Sequence, residues 1–224
     1  MLESGVPDAL REAVQRDLRP VQPLPAPWKR ALGLIPFVVL LLVGVPLWYG
    51  LRHDAPSVGT VALWGGSAVL VAGGLLSIAL ALRESVPARA LSWLAVVLAT
   101  LAAVAVLVSV TFITNAVSPT VARPSEVRLF WWFCWTRSLV LGAPLVFVCG
   151  VLAARALPSR PEVAGALYGV GCGLLVEGGW RLFCDVSDPV HVFLAHGASV
   201  LVLAALGALG AGLWERFLRR RGSR

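Results

Sequence analysis

Two cysteines and two histidines carry most of the chemistry this sequence could do. Cys134 lies in Phe130-Trp131-Trp132-Phe133-Cys134-Trp135, and Cys184 opens a run that ends in His191 and His196. Thiol and imidazole are soft and borderline ligands, so copper, zinc or haem chemistry can be imagined, as can a redox pair between the two thiols. On an α-helix, however, His191 and His196 are separated by about 500° of rotation and do not share a face. No metal site is therefore expected, and no cofactor. The chain has no P-loop, no G-x-S-x-G, no H-E-x-x-H and no dinucleotide fingerprint, which argues against an enzyme.

Charged groups stand beside these residues. Arg137, Glu177, Arg181 and His196 all fall within long apolar runs, where an ionisable group is costly and faces protein. They are expected to form an intramembrane polar network. Glu177 and Arg181 are an i, i+4 pair in the favourable order. At a rise of about 1.5 Å per residue, Arg137, Glu177, His196, Cys134 and Cys184 come to one height, near one boundary of the bilayer. Cys149 and Cys172 fall deeper and read as small packing residues.

The elements that hold these groups follow from composition. The chain has 224 residues, 58% hydrophobic and 14% charged, against roughly 25% charge in a soluble domain. Runs of about 20 residues almost free of charge alternate with short basic clusters, the pattern of helical spans. Six can be read: Ala31 to Leu51, Val58 to Leu82, Ala90 to Ile113, Phe130 to Ala156, Val163 to Phe183 and Val190 to Leu213. The expected fold is an all-α integral membrane bundle of six transmembrane helices. A cytoplasmic tail occupies residues 1–30, the transmembrane domain 31–214 and a basic C-terminal tail 215–224.

Charge orients the bundle. With both termini cytoplasmic, all but Arg52, Arg123, Arg128, Arg137 and Arg181 of the 19 Lys and Arg residues lie inside, as the positive-inside rule requires. The protein is expected in the bacterial inner membrane, multi-pass, with the lipid bilayer as its solvent. The first span is too long for a signal peptide and lacks a small-x-small cleavage site, so it is expected to stay in the mature protein. Repeated small residues, Gly165, Gly169 and Gly173 in the fifth span and Ala204, Ala208 and Gly212 in the sixth, predict close helix packing. Asp188 followed by Pro189 predicts an N-cap and first-turn proline for the sixth span, and Pro144 a kink in the fourth.

The N-terminal tail is of another kind. Val6, Leu10, Val14 and Leu18 recur every four residues among Arg11, Glu12, Arg16 and Asp17, which predicts a short amphipathic helix from Pro7 to Leu18. Alone such a helix is marginal in water. The prolines at 20, 23, 25 and 27 then favour an extended strut that holds it away from the membrane. Acidic and basic residues balance across the tail, so direct nucleic-acid binding is not expected. A helix that docks in a protein groove fits better.

These features together resemble the NrsF-like family of six-span membrane anti-sigma factors, and within it the light-response branch. The resemblance rests on Asp17-Leu18-Arg19-Pro20-Val21 leading into prolines, on six spans, on Cys134 in its Trp-rich setting, and on Cys184 followed by His191 and His196. It implies that the N-terminal segment sequesters an extracytoplasmic-function sigma factor through Val6, Leu10, Val14 and Leu18. A stimulus at the envelope, light or oxidation, would release it and so relieve negative regulation of transcription. Cys134, Cys184, His191 and His196 would be redox, sensing or structural positions. The competing readings are a small membrane oxidoreductase or haem-quinone protein that uses the Cys/His cluster, and a small-solute carrier that uses Glu177 and Arg137. Oligomeric state is left open.

Overall fold

The computed structural model describes residues 7–17, 23–87, 89–119, 124–156 and 158–222, with the backbone course alone for 124–130. Val6 and Leu18 lie outside the described residues, and so does the side chain of Phe130. The described residues are helical, without strands. Helix α1, Asp8–Asp17, has no buried residue. The N–H groups of Leu10 and Arg11 both donate to the Pro7 carbonyl, so Pro7 stands just before the helix rather than at its first position.

The first apolar run departs from expectation. In place of one helix from Ala31 to Leu51 there are two pieces, α2, Pro27–Leu32, and α3, Ile35–Tyr49. Pro36 and Pro46 both fall in α3, and Leu40–Gly44 forms a turn of π-helix. Pro46 has no N–H for the Leu42 carbonyl, and its ring crowds that group; the widened turn lies against it. At about 1.5 Å per residue α3 falls short of the roughly 30 Å hydrocarbon core.

Among the described residues, five helices are long and apolar enough to cross a membrane. After the short α4, Ala55–Val58, these are α5, Thr60–Glu84; α6, Trp93–Val117; α7, Pro124–Ala154, with its apolar stretch at Trp131–Ala154; α8, Pro161–Trp180; and α9. Helix α9 starts at Pro189–His191, passes through a π segment at Val192–Gly197 and continues as Ala198–Gly222. Pro144 lies inside α7, whose helical course is unbroken. Leu94, Leu98, Leu101 and Val104 of α6 are exposed. An apolar face of that extent belongs against lipid.

Helix α8 is the centre of the bundle. In its apolar stretch 83% is buried, against 22% in α6. Glycine makes this possible on two faces. Cβ atoms at Gly165 and Gly169 would overlap the Gly207 and Leu203 carbonyls of α9, and one at Gly173 would meet Val200. On the other side a Cβ at Gly171 would come 2.7 Å from the Gly74 carbonyl of α5. The small-residue face expected from the sequence is therefore the α8/α9 seam. Hydrogen bonds across both seams, Ser77 Oγ to the Leu167 carbonyl at 2.9 Å and Tyr168 OH to the Gly207 carbonyl at 3.1 Å, fix the register.

Polar residues close the two ends. At one end the fully buried Glu84 accepts from the Leu91 N–H at 2.6 Å and from Arg160 Nε at 2.7 Å. Arg30 donates to the Leu152 carbonyl there. At the other end lie the C-termini of α3, α6 and α8 and the starts of α5 and α9. The Cys/His residues gather at that end.

Candidate functional site: a buried Cys/His cluster

The site begins with a cap. Asp188 accepts from the His191 N–H at 3.0 Å and Pro189 takes the first helical position, as the sequence predicts. This sets His191 in the first turn of α9. From Val192 the helix is π, whose i→i+5 closure brings a residue five positions on back to the same face. His191 and His196 therefore face each other, with ring centroids 5.3 Å apart. The expectation that they diverge holds for an α-helix, and this turn is not one.

The thiols arrive from two other elements. Cys134 projects from the inward stripe of α7, together with Ser138, Leu145, Cys149 and Ala153. Cys184 follows α8 in a tight turn, its N–H bonded to the Trp180 carbonyl at 3.0 Å. The two Sγ atoms are 3.7 Å apart, and Cys184 Sγ is 3.5 Å from His191 Nε2. One ligand atom from each of Cys134, Cys184, His191 and His196 lies within 4.8 Å of all the others. All four residues are buried, at 0, 3, 3 and 2% exposure. Cys149 and Cys172 meet separately in the bundle interior, also at 3.7 Å.

Residues 15–219 match the family described as negative regulator of sigma F. The chain belongs to that family. Comparison with curated proteins and with solved structures gave no match. As a member of the negative regulator of sigma F family, the chain acts on a sigma factor, and its apolar helices make it a membrane protein. The family match takes in all four cluster residues; it opens at Gln15, beyond Leu10 and Val14.

Around the cluster of this sigma-factor regulator, the expected network is rearranged. Glu177 bonds His196, Oε2 to Nδ1 at 2.5 Å. Arg181 turns away along the bundle end, donating to the Leu63 carbonyl at 2.5 Å and to Thr114 Oγ1 at 2.6 Å, so it ties α8 to α5 and α6. Arg137 is not within this network. It neighbours Ser138 on α7, about 100° off the inward stripe, and lies exposed with its guanidinium 5.3 Å above the Phe133 ring.

Several site residues carry no sequence signal beyond their charge or aromaticity. Arg52, read only as an outer-side charge, is buried and holds the loop that bears Cys184. It donates to Ser187 Oγ at 2.7 Å and Asp54 at 2.5 and 2.8 Å, and its N–H reaches the Leu182 carbonyl at 2.9 Å. Burial alone would raise the Asp54 carboxyl, but hydrogen bonds from Arg52 and Ser118, with the Arg52 charge, hold it below the usual carboxylate range. The loop partners of Arg52 lie more than 120 residues on, beyond the reach of a local pattern. Trp180, fully buried, meets Tyr49, Phe133 and Phe183 at 5.1 to 6.0 Å between centroids and walls the cluster with aromatic surface.

The cap gives a first expected outcome. Asp188→Ala removes the acceptor for His191 N–H and should cost about 1 kcal/mol, lowering the thermal midpoint in detergent by about 2–4 °C for a chain of this size. An unchanged midpoint would show that the first turn of α9 is held by its packing alone.

Proposed function

We propose that this chain is a membrane-bound anti-sigma factor that sequesters an extracytoplasmic-function sigma factor through α1 and releases it on a signal at the outer face. The observation that carries this reading is α1 itself. It is a helix without a buried residue, with Leu10 and Val14 exposed at 54% and 53%. A short apolar stripe with no cover inside its own chain suits folding against a partner groove. Val6 and Leu18 extend the same four-residue spacing in sequence.

In this reading the protein is a six-span inner-membrane protein, with α2 and α3 together serving as the first span. Both termini are cytoplasmic. The distribution of Arg30, Arg83, Arg89, Arg155, Arg160 and the Arg219-Arg220-Arg221 run at the end opposite the Cys/His cluster supports this orientation. Cys134, Cys184, His191 and His196 then sit toward the oxidising face. Light or envelope stress acts there through an oxidant. A hydroperoxide would take two electrons from the Cys134 and Cys184 thiols, leaving a disulfide, an alcohol and water. The change from a 3.7 Å contact to a bond of about 2.05 Å draws α7 toward the loop after α8. That movement is the signal passed along the bundle.

The experiment is co-purification from membranes of the full chain and of a chain lacking residues 1–18. A sigma factor retained only by the full chain is the expected result. Equal retention by both, or by neither, overturns the assignment of α1.

A further inference from the structure

We infer that Cys134, Cys184, His191 and His196 form a tetrahedral site for a zinc(II) ion at the α7, α8 and α9 end of the bundle. Zinc takes thiolate sulfur at about 2.3 Å and imidazole nitrogen at about 2.0–2.1 Å. A tetrahedral centre with those bonds separates sulfur from sulfur by about 3.8 Å and sulfur from nitrogen by about 3.5 Å. The observed separations are 3.7 Å for the two sulfurs and 3.5 Å from Cys184 Sγ to His191 Nε2. These two separations match those of a tetrahedral centre, and all four donors lie within 4.8 Å of one another.

The surroundings are those of a ligand set. Nδ1 of His196 is engaged by Glu177, which leaves Nε2 as the free nitrogen, and that Nε2 is buried without a hydrogen bond. A carboxylate on the far nitrogen of an imidazole is the usual support of a metal-bound histidine, because it fixes the tautomer and the ring. The π segment adds the second imidazole by bringing His191 and His196 onto one face. Charge selects the ion. Two thiolates and two neutral imidazoles carry −2, and a divalent cation cancels it in a buried site where net charge is costly, leaving the Glu177 carboxylate to the N–H of His196 Nδ1. A monovalent cation leaves a charge behind. The second thiol pair, Cys149 and Cys172, stands at the same separation without imidazoles in contact and serves as an internal control.

This inference is independent of the assignment of α1, but it shares Cys134 and Cys184 with the oxidation step: a zinc ion held by both sulfurs must leave before their disulfide can form. The test is metal analysis of the full chain, purified in detergent under reducing conditions without chelator or histidine tag. About one zinc per chain is expected, retained in Cys149→Ser and lost in Cys134→Ser and His196→Ala. Glu177→Gln should keep the ion with affinity about 10–100-fold weaker. Cobalt(II) added to metal-free protein should give thiolate charge-transfer bands and the intense bands of a four-coordinate ion. Where a variant fails to fold, alkylation of the unaltered chain decides: zinc should slow the reaction of Cys134 and Cys184 and leave that of Cys149 and Cys172, buried against each other in the bundle interior, unchanged. Copper in place of zinc overturns the choice of ion. Equal zinc in Cys134→Ser and unaltered protein, or four thiols alkylated alike with and without zinc, overturns the site.

Discussion

Replacing Leu10 and Val14 together by Asp should abolish sigma-factor retention while leaving the protein at its normal level in the membrane. Both side chains are exposed and neither contributes to the bundle. Each is worth about 1.5–3 kcal/mol if buried in a partner, so their joint loss should weaken binding by about 10²–10⁴-fold. A reporter driven by the sigma factor, read beside an immunoblot of the membrane fraction, checks this. Full reporter activity with unchanged protein level is the expected pair of results. A silent reporter with the doubly substituted protein in place would mean that contact lies elsewhere, and the acidic and basic residues of α1 would be the next to alter. A helix of this length is marginal alone in water, so a partner that docks on it would supply most of its stability.

Gly169→Val should disrupt the bundle itself. A Cβ at this position would overlap the Leu203 carbonyl and come 2.5 Å from Ala204 Cα, both backbone atoms of α9 that cannot rotate aside. Forcing the two helices apart should cost about 1–3 kcal/mol, and more where Tyr168 loses its bond to Gly207. The measurement is thermal unfolding in detergent, with Gly65→Ala as the companion variant. Gly65 lies in α5, and a Cβ added there would meet nothing within 4 Å, so Ala should raise the midpoint through helix propensity. If both variants unfold alike, the α8/α9 seam is not a close one. Because Glu177 and His196 stand on either side of that seam, separation of α8 from α9 should also loosen the cluster.

The long helices were legible because lipid as solvent leaves few choices. A run of about 20 apolar residues can satisfy its backbone only as a helix, and α5 to α9 fall within a few residues of the runs read from sequence, apart from polar extensions of α7 and α9. The first run failed that logic locally. Gly33, Pro36 and Pro46 sit inside an apolar stretch whose hydropathy gives no sign of a break, yet the two prolines lack a helical N–H donor and the glycine lowers helix propensity. The four cluster residues were singled out by type and neighbourhood. Their geometry is not accessible from sequence, because a five-residue spacing separates His191 and His196 at the pitch of an α-helix and brings them together in a π segment. A π turn depends on how α9 fits against α7 and α8, which a local pattern does not contain. Arg137 shows the opposite error. Its depth suggested a buried partner, but the choice of stripe on α7 turned it outward over Phe133. Arg52, an outer-side charge by topology, holds a loop distant in sequence through Ser187.

The wide turn at Val192–Gly197 has one more consequence. In a helix, residues per turn act as gearing: the same five steps that come near to closing a circle in the π segment overshoot it by about 140° in an α-helix. The histidines can face each other only while that segment stays underwound. Relaxing it to α would swing His196 off His191 and rotate the rest of α9, down to the arginines at its far end. The state of the cluster and the rotational setting of a 25-residue lever are therefore one coordinate.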